Sequence, residues 1–268
     1  MIEIQQLFIY PIKSIAGISV DEIEMTMAGP RYDRQYMLVD ERKRFMTQRS
    51  HPMLARFSVL PHPDGWEVLD GDGSLLLVRD EERTERIFET NVWSAVLQVR
   101  EVSGAVSRWF SERFDQLVRL VAFDDLESRQ RNVQGHATAL QFADSYPLLI
   151  CNQQSLDQTS AAVSMLLQMR RFRPNVVVSI PAEAEYALST LVRDDGGKLI
   201  LGDWCERCNV PAIDPLTGVF DRALHQSLKA ALKREGRVVF GVNGAGLGLK
   251  SLQVGDLFRA VNGDTTLK

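Results

Sequence analysis

The chain has 268 residues, 31 Lys+Arg against 35 Asp+Glu for a formal net charge of −4, and 45% hydrophobic residues, an ordinary globular composition in a chain long enough to bury a core unaided. Collagen-like, disordered and disulfide-framework classes are excluded, the last because three cysteines cannot build one, and the mild acidity argues against nonspecific nucleic-acid binding. Without a run near the ~18 apolar residues of a membrane span, or the basic and apolar regions of a signal peptide after Met1, a cytoplasmic protein is expected.

The first hundred residues read as short strands separated by turns. Ile2 to Tyr10 and Ile18 to Met25 alternate apolar and polar. Tyr36 to Val39 enters the charged turn Asp40-Glu41-Arg42-Lys43 and leaves through Phe45-Met46-Thr47, a hairpin pattern. Leu54 to Leu60 is a further apolar run. Trp66 to Leu69 and Leu75 to Val78 flank Asp70-Gly71-Asp72-Gly73, a second hairpin signal. Trp93 to Val102 alternates again. Helical spacing then appears in Ala105, Val106, Trp109, Phe110 and Phe114, with Ser103 as cap. After the strand Leu117 to Phe123 the pattern places a domain boundary near residue 120, giving modules 1–120 and 121–268. Asp124 to Gly135, which holds Arg129 and Arg131, is expected as a surface loop.

The second half carries two helical patterns. Ser155-Leu156-Asp157-Gln158 reads as a capping box opening a helix that ends near Phe172. Leu224, Leu228, Ala231 and Leu232 form a stripe, with Lys233-Arg234 in the last turn and Gly236 beyond it. Strand candidates lie at 147–151, 176–180, 197–202, 237–241 and 252–260. The glycine-rich run Gly241 to Gly248 lacks the helix that a dinucleotide loop must open and is expected as a flexible loop. The fold class is mainly β with a few helices.

Cys205-Glu206-Arg207-Cys208 is the most suggestive tetrapeptide. A structural zinc site lacks a second pair of soft ligands. A thioredoxin-like motif should open a helix, which Pro211 and Pro215 oppose. Buried, inert thiols are the plain alternative. Arg207 beside Cys208 would favour a thiolate, and one thiolate without further protein ligands suits a metal that arrives inside an organic cofactor. Three arginines in Arg170-Arg171-Phe172-Arg173-Pro174-Asn175 form either an anion grip or a solvated helix end. Tyr10-Pro11-Ile12-Lys13-Ser14, Arg31-Tyr32-Asp33-Arg34 and Thr47-Gln48-Arg49 set polar groups at strand ends. Asp144-Ser145-Tyr146-Pro147 and Asp214-Pro215-Leu216-Thr217-Gly218 are turns first, although the former offers partners to a polar ligand.

Taken in order, these segments resemble the family that joins a MOSC N-terminal β-barrel module to a MOSC β-barrel domain, over nearly the whole chain. The closing Val254-Gly255-Asp256 strand also fits. The family includes amidoxime-reducing components and bacterial reductases of N-hydroxylated bases. The resemblance implies a molybdenum cofactor, a pyranopterin dithiolene with one metal and one phosphate. It implies Cys208 as the metal ligand and catalytic residue. Lys13, Ser14, Arg34, Asp144, Ser145, Tyr146, Arg173 and Asn175 match positions that hold the pterin and phosphate, Glu206 and Arg207 fall beside the ligand, and Arg49 matches a basic family position. The implied activity is reduction of small N-hydroxylated compounds with electrons from a separate ferredoxin- or flavoprotein-type donor, since no cluster-type cysteine set follows Cys208. A non-catalytic carrier of the cofactor or of sulfur is the alternative, and a plain binding module with structural cysteines a third. Two departures stand out: Gly202-Asp203-Trp204 runs straight into Cys205, and position 206 is Glu where a small hydroxyl residue is more usual.

Overall fold

The computed structural model describes residues 1–71, 73–79, 83–123 and 129–261. The first strand, β1 (Ile2–Ile9), buries Ile2 and Ile4 and then Leu7 and Ile9, the alternation changing phase where its pairing register slips between Ile4 and Gln6. β2 (Tyr36–Val39), β3 (Arg83–Val92), β4 (Ala95–Val102) and, after helix α1 (Gly104–Phe114), β5 (Arg119–Phe123) form a four-stranded antiparallel sheet in the order β2-β5-β4-β3. The hairpin predicted around Asp40–Lys43 is present, with Asp40 N donating to Arg44 O and Met46 N to Leu38 O. The second hairpin pairs Gly65–Leu69 with Leu75–Arg79, and Asp72 of its turn lies outside the described residues. Ser103 caps α1 through its Oγ, which accepts from Ala105 N. The helix packs Trp109, Phe110 and Phe114 around Phe57, with ring centroids 5.6–5.8 Å apart.

The remaining chain builds the larger unit. Its elements are β6 (Leu148–Asn152), α2 (Gln153–Ala162), β7 (Val176–Val178), β8 (Thr190–Arg193), β9 (Lys198–Glu206), α3 (Arg222–Ala231), β10 (Arg237–Leu247) and β11 (Leu257–Val261). Seven strands close a barrel in the order β6-β7-β1-β11-β8-β9-β10 and back to β6. All neighbours are antiparallel except β6 and β7. β1 is thus a stave of the barrel that the later residues build. Leu7 faces Val176 and Ile2 faces Phe258, so the polar turn after β1 is delivered to the barrel's end. One buried cluster runs from Ile4 and Leu7 through Leu199 and Val242 to Phe110 and Leu120.

Several expectations change. α2 starts at Gln153 with Asn152 as cap, its Oδ1 accepting from Gln154 N, while Ser155 lies inside the helix. It stops at Ala162, because Ser164 turns left-handed (φ 52°), and only a short 3-10 turn, Met169–Arg171, precedes Phe172. α3 likewise ends at Ala231, and Lys233-Arg234 pairs with Arg237-Val238 across Glu235-Gly236. Residues 124–128 lie outside the described residues, but Gln130–Val133 pairs with His136–Ala139, so the supposed loop is partly a hairpin. Finally, Gly241 to Leu247 belongs to β10. A Cβ at Gly244 would sit 2.7 Å from Ile200 O, so these glycines let neighbouring strands approach closely rather than loosen a loop. Val254-Gly255-Asp256 is the turn before β11, not a strand.

Candidate active site

A cavity of about 490 Å³ opens where β1, β2 and their following turns meet the rim of the barrel. Two irregularities aim β9 into it. The β9–β10 register shifts between Leu201 and Trp204 and again between Trp204 and Glu206, which suspends the alternation of faces. Asp203, Trp204, Cys205, Glu206, Arg207 and Cys208 therefore all line the cavity. Gly202-Asp203-Trp204 and Cys205 belong to one continuous strand.

The residues that the resemblance implies all border this space: Lys13, Ser14, Arg34, Arg49, Asp144, Ser145, Tyr146, Arg173, Asn175, Glu206, Arg207 and Cys208, whereas Arg170, Arg171 and Asp214 do not. The strand-end groups do converge. Lys13, only 5% exposed, donates to Phe142 O (2.8 Å) and to Asp144 Oδ1. Arg34 bonds Asp33 Oδ2, Asn175 Oδ1 (3.2 Å) and Arg173 O (3.2 Å). Arg173 donates to Ile15 O at 2.8 Å, and burial pulls it down to about 10. Asn175 is spent on structure: its Oδ1 accepts from Leu149 N and its Nδ2 donates to Phe8 O. Ser14, Arg34 and Arg173 are all left-handed (φ 68°, 48° and 58°), a strained conformation for side-chain-bearing residues that concentrates at working sites.

The opposite rim is polar and aromatic. Arg131 donates to Tyr146 Oη (2.7 Å) and Asp203 Oδ2 (3.1 Å), and the Tyr146 hydroxyl donates to Asp203 in turn. Trp93, at the tip of the β3–β4 hairpin, carries Arg49 over its ring at 4.3 Å and donates Nε1 to Asp144 Oδ1 (3.2 Å). Ser145 is exposed beside them, and Glu206 faces Arg237 at 3.9 Å. The three cysteines differ sharply: Cys151 is buried, Cys205 half-buried and Cys208 exposed. Burial pushes the Cys151 thiol up. The Arg207 hydrogen bond goes to Cys205 Sγ (3.0 Å), and its other arm donates to Phe172 O. The cation expected to serve Cys208 is thus hydrogen-bonded to Cys205, leaving the Cys208 sulfur open to the cavity. Among the described residues no group of three or more His, Cys, Asp or Glu could hold a bare metal ion.

Protein-family profiles match the chain twice, the MOSC N-terminal beta barrel domain over residues 1–116 and the MOSC domain over residues 137–259. The chain belongs to the MOSC family. Curated relatives agree. Mitochondrial amidoxime-reducing component 1 of Mus musculus is 28% identical over 82% of this chain and 68% of its own length, and component 2 of Bos taurus is 27% identical over the same shares. The molybdenum cofactor sulfurase of Drosophila yakuba is 24% identical over 88% of this chain, which spans 31% of that longer protein.

In this MOSC chain, sequence reasoning overlooked several cavity groups. Gln48 donates to Ser14 O (2.7 Å) and fixes the turn after β1. Trp93, Asp203, Trp204 and Arg237 line the walls. Arg129, expected on a surface loop, is buried and bonds the carbonyls of Gln141, Ala143 and Asp144. Its isolation in a polar stretch offered no signal, whereas Trp93 could have been suspected as a lone aromatic at a hairpin tip.

Counting charges, Lys13, Arg34, Arg49, Arg131, Arg173, Arg207 and Arg237 outnumber Asp144, Asp203 and Glu206 in the cavity of a net-acidic protein. This field has a measurable consequence. Burial opposes ionisation of Asp144, but the Lys13 ammonium, helped by Arg49 and Arg34, overrides it and holds the carboxyl well below the usual carboxylate range. A depressed acid stabilises the fold above its unfolded value, about 4, and loses that contribution as pH falls towards the folded value. Asp144→Asn should therefore lower the thermal midpoint at pH 5–7, and the gap from wild type should close progressively below about pH 4. A gap of equal size at pH 3 and pH 7 would remove the Lys13–Asp144 pair from the account.

Proposed function

We propose that this protein is a molybdenum cofactor-dependent oxidoreductase that reduces N-hydroxylated compounds, with electrons delivered by a separate redox protein. The reading also takes it as cytoplasmic and built of two modules meeting near residue 120. One observation carries it: an exposed thiol, Cys208, shares a strongly cationic cavity with the guanidinia of Arg34, Arg49, Arg173 and Arg207. The residues fit a pyranopterin. Its volume matches a cofactor-sized ligand, its phosphate suits paired arginine forks, and its metal arrives with its own dithiolene donors and needs only one further thiolate. The relatives named as amidoxime-reducing components support the activity.

When bound, the cofactor supplies two-electron redox chemistry at its metal. The chain's own groups do the rest. Cys208 holds the metal, and Arg207, anchored to Phe172 O, stiffens the strand end beside it, with Glu206 as neighbour. Arg34, Arg173, Lys13 and Ser14 grip the phosphate and the pterin. Asn175 acts by orienting Arg34 through its Oδ1. Asp144, Ser145 and Tyr146 offer hydrogen bonds to the heterocycle and to the substrate's oxygen. Arg49, stacked on Trp93, narrows the mouth and limits water. Reduction of an N–OH group to N–H takes two electrons and two protons and releases water, so the donor protein must return two electrons per cycle.

The test is direct. Protein purified from a host competent to make the cofactor should contain near-stoichiometric molybdenum and pterin, and should reduce an N-hydroxylated amidine with a chemical electron donor. Metal without turnover would favour a carrier, a role in keeping with the relative named as a molybdenum cofactor sulfurase. Folded protein with neither metal nor pterin would overturn both and leave a binding module with structural cysteines.

A further inference from the structure

Tyr10 directly follows β1 and lies beside the cavity without lining it. It is 1% exposed, and two guanidinia share its ring: Arg34 Cζ lies 4.5 Å and Arg173 Cζ 4.4 Å from the centroid. Both distances fall within the range of cation–π attraction. The two arginines repel each other, and their supports are unequal. Arg34 has the Asp33 carboxylate and Asn175 Oδ1. Among the described residues Arg173 has a single side-chain hydrogen bond, to the Ile15 carbonyl, and burial disfavours its charge. Both arginines also sit in left-handed backbone.

The ring itself is held firmly. Tyr10 N donates to Asp33 Oδ1 at 2.8 Å, which ties the ring's backbone to the carboxylate that anchors Arg34. Gly17 abuts its edge so closely that a Cβ there would stand 2.3 Å from Tyr10 Cε1. The phenol oxygen, by contrast, is buried without a hydrogen-bond partner among the described residues, so the face of the ring, not its hydroxyl, is what the neighbours use.

We infer that Tyr10 is a positioning residue of the anion site, its ring serving as the common support that holds the Arg34 and Arg173 forks side by side for one phosphate-type ligand. The inference rests on the reading of this cavity as an anion-binding site. A fork pair set at fixed spacing can grip a phosphate bidentately without paying to gather two cations at the moment of binding.

Titration of inorganic phosphate into the cofactor-free full-length protein, followed by calorimetry, reads this without any catalytic assay. Arg173→Met sets the level for loss of one fork. Tyr10→Phe should bind within about twofold of wild type, because the ring is kept, and Tyr10→Leu should bind roughly tenfold more weakly. Gly17→Ala, which leaves every polar group in place but displaces the ring, should weaken phosphate binding in the same direction and covers the case in which Tyr10→Leu does not fold. Wild-type affinity in Tyr10→Leu or in Gly17→Ala would overturn the support role while leaving the anion site standing. Tyr10→Phe as weak as Tyr10→Leu would transfer the role to the hydroxyl and overturn it equally. No phosphate affinity in the wild-type protein, with Arg173→Met indistinguishable from it, would overturn the anion site itself and this inference with it.

Discussion

Cys208→Ser should strip the protein of molybdenum and lower reduction of an N-hydroxylated amidine by at least about a hundredfold, whereas Cys205→Ser should keep the metal and stay within roughly tenfold of wild type. The asymmetry follows from where the two sulfurs stand. Cys208 is exposed to the cavity; Cys205 is half-buried and already accepts from Arg207 Nη1 at 3.0 Å. A serine at 205 still offers that guanidinium an oxygen acceptor, so the strand end keeps its anchor. A serine at 208 replaces a soft thiolate by a hard, protonated hydroxyl, a poor partner for a heavy transition metal. Cys151 serves as the internal control. It is wholly buried against β10, with Gly241 so close that a Cβ would stand 2.7 Å from its Sγ, and it cannot reach the cavity. Metal analysis beside initial rates reads all three. Equal losses at 205 and 208 would replace the single-ligand assignment by a shared one.

The residues of the site were legible because each stands in a short polar motif at the end of an apolar run: Lys13 and Ser14 after β1, Asp144 before β6, Asn175 before β7. What such motifs do not encode is convergence. Lys13 and Asp144 are 131 positions apart, and only closure of the barrel, with β1 between β7 and β11, brings them together. Local rules also failed where a neighbour overrode them. Gly241 to Gly248 reads as a loop by composition, yet much of it is a central strand, because close approach of Ile150 and Ile200 demands the absence of side chains. Ser155 satisfies a capping-box pattern, yet Asn152 caps α2, because the Ser155 hydroxyl is engaged by Asn152 and Glu183 N. The β9 bulges have no marker in the sequence beyond Gly202, and they suspend the alternation of faces along Asp203–Glu206, all of which border the cavity.

Arg129→Met should lower the thermal midpoint by roughly 5–12 °C, corresponding to about 2–4 kcal/mol, and reduce the metal content of the loaded protein. Arg129 is 7% exposed, and among the described residues no carboxylate is hydrogen-bonded to it; its guanidinium instead donates to Gln141 O, to Ala143 O at 2.8 Å and to Asp144 O at 3.1 Å. Burial disfavours its charge and so pulls its pKa down, with the Asp144 carboxylate opposing, which means the fold bears a desolvation cost in order to gather three carbonyls of the 141–144 segment. Methionine fills similar apolar volume and removes that cost, but it leaves the three carbonyls without their donor, and stranded acceptors outweigh the gain. The segment so released carries Phe142 O and Asp144, the two partners of the buried Lys13 ammonium, so the loss propagates into the cavity. Arg129→Lys separates charge from geometry, because an ammonium keeps the cation and cannot span the three carbonyls as a planar fork does. Lysine should recover only a minor part of the midpoint. Full recovery would mean that the positive charge, not the fork, organises the segment, and an unchanged midpoint in Arg129→Met would mean that the segment is held by its packing alone.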